Sequence, residues 1–248
     1  MIELHYGDCL EKMGLITENS IDMILCDLPY GTTACKWDCV VPFKPLWEHY
    51  ERIIKDNGAI VLTASQPFTS AVIMSNIKLF KYDYTWVKTR PSNHINAKNK
   101  PMSKHESVLV FSKGTTANCS LNKMKYYPQG LIPFGKETFR PNRDKKLSNI
   151  LGVRPSHKNT FMQEFTNYPN TVLNFANPNN GNTHTSQKPV DLFEYLIRTY
   201  TNEGETVLDN CMGSGTTGVA CKKSNRNFIG IEKDLIHFNN AKERIYER

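Results

Sequence analysis

The chain has 248 residues, enough for one large α/β domain or two small ones and enough to bury a substantial core. Its longest apolar runs are far too short to cross a bilayer, and the N-terminal MIELHYGD carries charges where a secretory signal needs an apolar stretch. We therefore expect a cytoplasmic protein that does not enter a membrane. The formal net charge is +7 and the pI is about 9.0, so the surface should attract polyanions.

The seven cysteines are an odd number, which favours free thiols. Cys26, Cys35 and Cys39 lie close enough in sequence to suggest a zinc site, but no second set of ligands follows at the usual spacing.

Strand and helix patterns alternate in the first third of the chain and again near its end. The predicted elements are, in order, strand IELHY, helix DCLEKMGLI, strand SIDMILCD, helix FKPLWEHYERIIKDNG, strand AIVLTAS, helix SAVIMSNIKL, strands YDYTWVKT and ESVLVFSK, and later helix KPVDLFEYLIRTYT, strand ETVLD, helix GTTGVACKK, strand NFIGIE and helix LIHFNNAKERI. This alternation predicts an α/β fold with a mostly parallel sheet covered by helices on both faces.

Between residues 114 and 183 the periodicity disappears, and the composition shifts to Asn, Pro, Lys and Tyr. A structureless loop of that length is improbable in a compact domain, so we interpret the segment as an irregular insertion or a small subdomain with a binding role. Basic residues crowd into it and into the loop NHINAKNKPMSKHE. On charge alone, a solvated face and a nucleic-acid-binding surface explain these clusters equally well.

A glycine loop joins a predicted strand to a predicted helix in TVLDNCMGSGTTGVA, residues 206–220. Gly213 and Gly215 let a ligand approach the backbone, and the following helix offers free N–H groups. Glu232 ends the next strand 19 residues after Gly213, a spacing at which an acid reaches ribose hydroxyls in Rossmann-type folds. The simpler interpretation is a tight turn. The loop with its spaced acid favours an adenosine-containing cofactor, and it lacks the spacing and the lysine of a Walker loop.

A second unusual stretch is DLPY, residues 27–30, which follows the buried run IDMIL. A turn alone does not require an acid, an apolar residue and an aromatic ring together. DLPY, HTSQKP at 184–189 and LDNCMGSGTT at 208–217, in that order, resemble the β-group of DNA amino-methyltransferases. In that group the catalytic motif precedes the cofactor motif, because the fold is circularly permuted. The resemblance covers most of the chain outside its middle third.

The resemblance implies that S-adenosylmethionine is the cofactor. The residues that would bind it lie in four places: Asp8 and Cys9 near the adenine, Lys188 in the motif that begins the nearby helix, Glu232 on the ribose, and Asp209, Cys211, Gly213, Ser214, Gly215 and Thr216 at the methionine end. The family usually has Asp-Pro-Phe where this chain has Asp209, Asn210 and Cys211, a departure that bears on cofactor affinity more than on cofactor identity.

The resemblance also makes DLPY the catalytic motif. The Asp27 carboxylate and the Leu28 carbonyl would accept hydrogen bonds from an exocyclic base amine, Pro29 would rigidify the turn, and Tyr30 would stack on a flipped base. Leu28 replaces the first proline of the family motif, which should loosen the turn without removing the carbonyl. An aspartate at position 27 favours adenine N6 as the target, with cytosine N4 as the alternative.

Double-stranded DNA is the partner that the resemblance implies, with residues 1–113 and 184–248 forming the catalytic domain and residues 114–183 recognising the target. The expected DNA-binding residues are Lys88, Lys98, Lys100, Lys104, Arg140, Arg143, Lys145 and Lys146. A catalytically inactive DNA-binding relative and a methyltransferase acting on RNA or on a small molecule remain alternatives. A homodimer and a restriction endonuclease counterpart are further possibilities. Trp86 is expected in the core, and Trp37 and Asp38 either cover the base or pack on the sheet rim.

Overall fold

A computed structural model describes residues 1–32, 38–118, 120–139, 160–178 and 187–247. Its strands are β1 (Ile2–Tyr6), β2 (Ile21–Cys26), β3 (Ile54–Ala64), β4 (Phe80–Ser92), β5 (Ser103–Phe111), β6 (Ile132–Phe139), β7 (Thr160–Thr166), β8 (Val172–Asn174), β9 (Thr206–Asp209) and β10 (Asn227–Glu232). Its α-helices are α1 (Cys9–Met13), α2 (Phe43–Ile53), α3 (Phe68–Ser75), α4 (Val190–Tyr200), α5 (Thr216–Lys223) and α6 (Leu235–Glu247).

The main sheet has eight strands in the order β1-β10-β9-β2-β3-β5-β4-β8. The five strands from β1 to β3 in this order are parallel, whereas β5 runs antiparallel to both β3 and β4. The prediction of a mostly parallel α/β sheet is confirmed. The strand that leads into DLPY precedes the strand that leads into the glycine loop, and the two are neighbours in the sheet.

Helices cover both faces of this sheet, because the central strands are apolar on both sides. All six residues of β2 are buried, as expected for an inner parallel strand. Met23 and Leu25 belong to one apolar cluster with helices α4, α5 and α6, while Ile24 and Cys26 belong to a second cluster with α1, α2 and α3. Each fully buried aliphatic side chain contributes roughly 1.5–3 kcal/mol of transfer free energy, so the two clusters fix the position of β2.

The chain divides into two compact units, residues 1–127 with 171–248 and residues 128–170. The smaller unit contains the antiparallel pair β6 and β7, which the sequence did not predict because β6 is almost wholly exposed and lacks alternation. Residues 114–127 and 171–178, which the sequence analysis assigned to the insertion, group with the larger unit. There, Met124 is buried and β8 pairs with β4.

The topology places a crevice between β2 and β9. The chain leaves β2 towards β3 on one side, and it leaves β9 towards β10 on the other. In open α/β sheets, ligands bind at the carboxyl ends of the strands at such a switch point. No helix in the described part of the chain is long and apolar enough to span a membrane.

Candidate active site

A cavity of about 360 Å³ opens at the carboxyl ends of β1, β2, β9 and β10. Most of the residues that the sequence analysis assigned to catalysis and cofactor binding line it. These are Asp8, Cys9, Asp27, Leu28, Pro29, Tyr30, Lys188, Asp209, Cys211, Gly213, Ser214, Thr216 and Glu232. Gly215 does not line the cavity. The two motifs, far apart in sequence, therefore form one concave site of a size typical for small ligands.

The glycine loop holds its shape through backbone conformation and one buried acid. Gly213 and Gly215 have φ of +47° and +74°, a region that favours glycine. Asp209 accepts hydrogen bonds from the Thr217 hydroxyl at 2.5 Å and from the Cys211 backbone N–H at 3.1 Å. Burial raises the pKa of Asp209 to about 7, against the opposing effect of these hydrogen bonds. Asp209 thus organises the start of the loop.

Gly215 is required for packing. A Cβ at this position would lie 3.0 Å from both Ala241 Cβ and Ile245 Cδ1 of α6. The turn begins α5 while α6 crosses closely above it. Of the two explanations for the glycine loop, Gly215 supports the tight turn, and Gly213, on the cavity wall, is available to a ligand.

Glu232 ends β10 with both carboxylate oxygens fixed by backbone amides. Oε2 accepts from the Gly213 N–H and Oε1 from the Asp234 N–H, each at 2.9 Å. Each oxygen retains a lone pair for another donor. A carboxylate fixed in this way on the cavity wall is suited to accept hydrogen bonds from a pair of ribose hydroxyls.

Asp8 caps helix α1, since its Oδ1 accepts from the backbone N–H of Leu10 at 2.9 Å. Next to it, the thiols of Cys9, Cys26 and Cys211 lie close to one another. Burial raises the pKa of Cys26 to about 12, so this thiol remains protonated and is a poor nucleophile. Among the described cysteines, Cys9, Cys26, Cys211 and Cys221 form no disulfide.

Asp27 lies just beyond β2 with its two oxygens in different surroundings. Oδ1 accepts from the Tyr30 hydroxyl at 2.8 Å and from the Thr63 hydroxyl of β3. Oδ2 forms an ion pair with Lys188 Nζ at 2.9 Å. The carboxylate is still about a quarter exposed, with 27% of the side chain accessible. It is therefore held in one orientation and can still accept a hydrogen bond from a ligand.

Tyr30 is supported by a second aromatic ring. Its ring stacks on Phe68 of α3 with centroids 5.0 Å apart and an interplanar angle of 26°. Burial, followed by the nearby Asp27 carboxylate, raises the pKa of Tyr30 well above its usual value, so the hydroxyl stays protonated and can donate to Asp27. Asp38 stabilises the next residues, since its two oxygens accept from the Gly31 and Thr32 N–H groups at 2.8 and 2.9 Å.

Lys188 lies next to Asp27 and belongs to a largely buried group of four charges. Its Nζ is 2.9 Å from Asp27 and 3.2 Å from Glu106, and Glu106 is 2.5 Å from Lys88. Burial alone would lower the pKa of Lys188, but Asp27, Tyr30 and Glu106 outweigh it and hold that pKa well above the usual value. The group, defined here as the charge quartet Asp27, Lys188, Glu106 and Lys88, contains two cations and two anions.

Sequence reasoning missed Thr63, Phe68 and Glu106. Thr63 carried a weak signal as a polar residue inside the apolar run AIVLTAS. Glu106 carried none, because its partners come from distant parts of the chain.

The expected DNA-binding lysines separate into two groups. Lys98, Lys100 and Lys104 are exposed, as a phosphate contact requires. For Lys88 the expectation needs correction. Its side chain is buried and its ammonium is ion-paired with Glu106, so it is not available to a phosphate. Arg140, Arg143, Lys145 and Lys146 lie outside the described residues, as does Trp37. Trp86 is buried, as expected.

With this geometry in place, comparison with known proteins is decisive. The sequence profile described as DNA methylase, which covers N6 and N4 enzymes, matches residues 21–243. The chain is a member of the DNA methylase family. The expected resemblance is thereby confirmed, and with it the assignment of the protein as a DNA amino-methyltransferase that uses S-adenosylmethionine.

Individual relatives agree with this assignment. The methylase is 44% identical over 271 aligned residues to the Type II methyltransferase M2.DpnII of Streptococcus pneumoniae, covering 99% of this chain and 89% of the relative. It is 27% identical to the DNA adenine methyltransferase YhdJ of Escherichia coli (strain K12), covering 92% and 76%. The crystal structure of the M1.HpyAVI–SAM complex superposes with a TM-score of 0.63 at 25% identity, covering 99% of both chains.

Proposed function

We propose that this methylase transfers a methyl group from S-adenosylmethionine to adenine N6 of a base flipped out of double-stranded DNA at a short sequence. The observation that carries the proposal is the fixed Asp27 carboxylate in the wall of a cavity that Gly213 and Glu232 also line. The donor and acceptor set fits the cofactor. Glu232 offers oxygens for ribose hydroxyls, and Gly213 leaves room for close approach along the backbone.

S-adenosylmethionine supplies an activated methyl group on a sulfonium. The residues of the chain must make the base amine reactive, because its lone pair is conjugated with the ring. Asp27 and the Leu28 carbonyl would accept hydrogen bonds from the amine and stabilise the positive charge that grows on nitrogen. Tyr30, supported by Phe68, would stack on the base and offset part of the unstacking cost. Holding the cofactor and the base in place would then turn a bimolecular reaction into a step within one complex.

Adenine is favoured over cytosine because an aspartate occupies position 27, and the relative YhdJ is described as a DNA adenine methyltransferase. We further propose that residues 128–170 and the basic β4–β5 loop contact the DNA and contribute to target recognition. A homodimer and a paired restriction endonuclease stay predictions. Relatives described as Type II methyltransferases support the second of them.

The test is to incubate the purified protein with labelled S-adenosylmethionine and unmethylated duplex DNA, and then to analyse the digested nucleosides. We expect N6-methyldeoxyadenosine, and sequencing of the same DNA would reveal the site. N4-methyldeoxycytidine would overturn the assignment of the target atom. Cofactor binding without any methylated base would support the inactive relative, and preferential methylation of competing RNA would exclude DNA as the substrate.

The role of Asp27 is tested by Asp27→Asn, with Asp83→Asn on an exposed part of β4 as the control. Loss of a preorganised acceptor for the transition state should lower the rate of methyl transfer about 100- to 1000-fold. Calorimetric titration should show nearly unchanged cofactor affinity. A fully active Asp27→Asn protein would contradict the mechanism.

A further inference from the structure

Strands β4 and β5 continue beyond the rest of the sheet at the edge that carries the active site. Ala64, the last residue of β3, pairs with Ser107 of β5, and β8 pairs with β4 only as far as Val87. Beyond these points the described part of β4 pairs only with β5, as in the pair Ser92 and Ser103. At roughly 3.3 Å per residue, Lys88–Ser92 extend about 16 Å. We call residues 88–105 the arm.

The arm is rooted in the catalytic site. Glu106, the residue that follows it, pairs with Trp86 across the hairpin and forms the ion pair with Lys188. Lys188 in turn pairs with Asp27, so two consecutive ion pairs connect the base of the arm to the Asp27 carboxylate. Since β5 is antiparallel to β3, the arm leaves the sheet at the same edge at which Asp27 lines the cavity.

Hydrogen bonds hold the arm in a defined shape. The Asn177 carboxamide accepts from the Arg90 N–H and donates to the Arg90 carbonyl, at 3.1 and 3.3 Å. At the tip, Asn93 adopts φ of +73° and its side-chain oxygen accepts from the Asn96 amide at 2.7 Å. These contacts give the tip a defined turn.

Two features of the tip indicate what it contacts. Ile95, in the turn His94–Asn96, is 97% exposed. At the end of a hairpin that projects beyond the rest of the sheet, this aliphatic side chain is available to a partner. Around it, residues 87–105 contain no aspartate or glutamate, and Arg90, Lys98, Lys100 and Lys104 are exposed. Cations arranged around an apolar tip match a partner whose backbone is anionic and whose interior is apolar.

We propose that Ile95 enters the base stack of duplex DNA next to the flipped nucleotide and fills the space that this nucleotide leaves, while the exposed cations of the arm hold the flanking phosphates. The proposal rests on the function proposed above. Aliphatic side chains inserted between base steps are an established way for proteins to hold DNA in an unstacked state, and phosphate contacts by Lys and Arg set the register. The arm also leaves the sheet at the edge that carries Asp27, where a flipped base would enter the cavity.

The test compares Ile95→Ala with Leu121→Ala. Leu121 is a fully exposed aliphatic residue in the loop after β5, at the opposite edge of the sheet. The DNA is an unmethylated duplex that contains the target site found in the assay above. In one form 2-aminopurine replaces the target adenine and reports base flipping by its fluorescence. In the other form the adenine is kept and its methylation is measured. A second duplex carries the target adenine in a mismatch, which lowers the cost of flipping. Both variants should unfold at the wild-type temperature, because neither side chain is packed.

Ile95→Ala should lower both the 2-aminopurine signal and the methylation rate on the paired duplex, on the order of tenfold, the factor expected when one buried aliphatic side chain is lost. On the mismatched duplex the loss should be small, and Leu121→Ala should resemble wild type on both. Equal losses on the two duplexes, or no loss, would overturn the proposal. So would a change in oligomeric state with unchanged flipping, because Ile95 would then contact a second copy. A wild-type protein that methylates no DNA would instead refute the proposed function.

Discussion

At the scale of single residues, the charge quartet balances two buried lysines with two carboxylates. Burial opposes ionisation of Glu106, but Lys188 and Lys88 outweigh it and hold the pKa of Glu106 below its usual value. Each charge is thus compensated by a neighbour of opposite sign, with contacts of 2.5–3.2 Å. Removing one partner leaves an uncompensated buried charge, which is far more destabilising than removing a pair.

Lys188→Met should therefore lower the free energy of unfolding by about 3 kcal/mol, as removal of one partner of a buried pair does. Glu106→Gln should also destabilise the protein. The double variant should lose less than the sum of the two single losses, because both single variants break the same Lys188–Glu106 contact. Methyl transfer should stay impaired in the double variant, because Asp27 has lost the ammonium that orients Oδ2.

Denaturant unfolding and single-turnover rates on the same four proteins measure both effects. Lys188→Arg provides the conservative comparison, since it keeps the charge. Recovery of activity together with stability in the double variant would show that Lys188 is structural only.

At the scale of elements, Gly215 in the turn before α5 is required both for the backbone conformation and for packing against α6. Gly215→Ala would bring a Cβ to 3.0 Å from α6 and would also strain a residue at φ of +74°. Gly204 has nearly the same conformation, with φ of +77°, but nothing within 4 Å of the added Cβ. Gly204→Ala should cost roughly 1–2 kcal/mol from backbone strain, and Gly215→Ala about 1–3 kcal/mol more from overpacking. Equal losses in thermal unfolding would refute the packing role.

The buried Asp209 carboxyl, where β9 ends and the glycine loop begins, should make the free energy of unfolding depend on pH. In the unfolded chain this carboxyl ionises near pH 4, whereas in the folded protein burial raises its pKa to about 7. The folded state therefore keeps this proton to a higher pH than the unfolded state does. As pH rises from about 4 to 7, this group lowers the free energy of unfolding by up to about 4 kcal/mol, with no further change above that range. The Asp209→Asn variant should not show this decline. Urea unfolding of the wild type and the variant at pH 5 and pH 8 measures the change in the free energy of unfolding. Equal changes in the two proteins would contradict the prediction.

Much of the main sheet could be predicted from sequence, because buried parallel strands such as Ile21–Cys26 are continuous apolar runs. The cavity could be predicted as well, since Asp27 and Gly213 lie in recognisable motifs at strand ends. The pairing of Lys188 with Asp27 could not, because it depends on how a distant segment packs against β2 and β5. The exposed hairpin β6–β7 was missed for lack of an apolar face, and β8, Val172–Asn174, was too short to predict.

At the scale of the whole molecule, the residues that line the cavity all belong to the larger unit. Replacing residues 128–170 by a flexible Gly/Ser linker should therefore preserve cofactor binding and abolish selection of the target sequence. Calorimetry with S-adenosylmethionine and competition binding between specific and unrelated duplexes measure the two properties. Loss of cofactor binding in a folded variant would show that the smaller unit contributes to the cofactor site. Retained selectivity would place recognition elsewhere, with the arm as the first candidate.

The burial of the charge quartet has a further consequence for the response of the enzyme to ionic strength. At 0.15 M salt the Debye length is about 8 Å, and mobile ions screen exposed charges far more strongly than pairs that water hardly reaches. The exposed lysines of the arm should lose affinity for DNA steeply as salt rises. The chemical step in a complex already formed should hardly change, because the side chains of Lys188 and Glu106 are only 9% and 12% exposed. Salt would then regulate how often the enzyme meets its substrate and leave the speed of each methyl transfer unaltered.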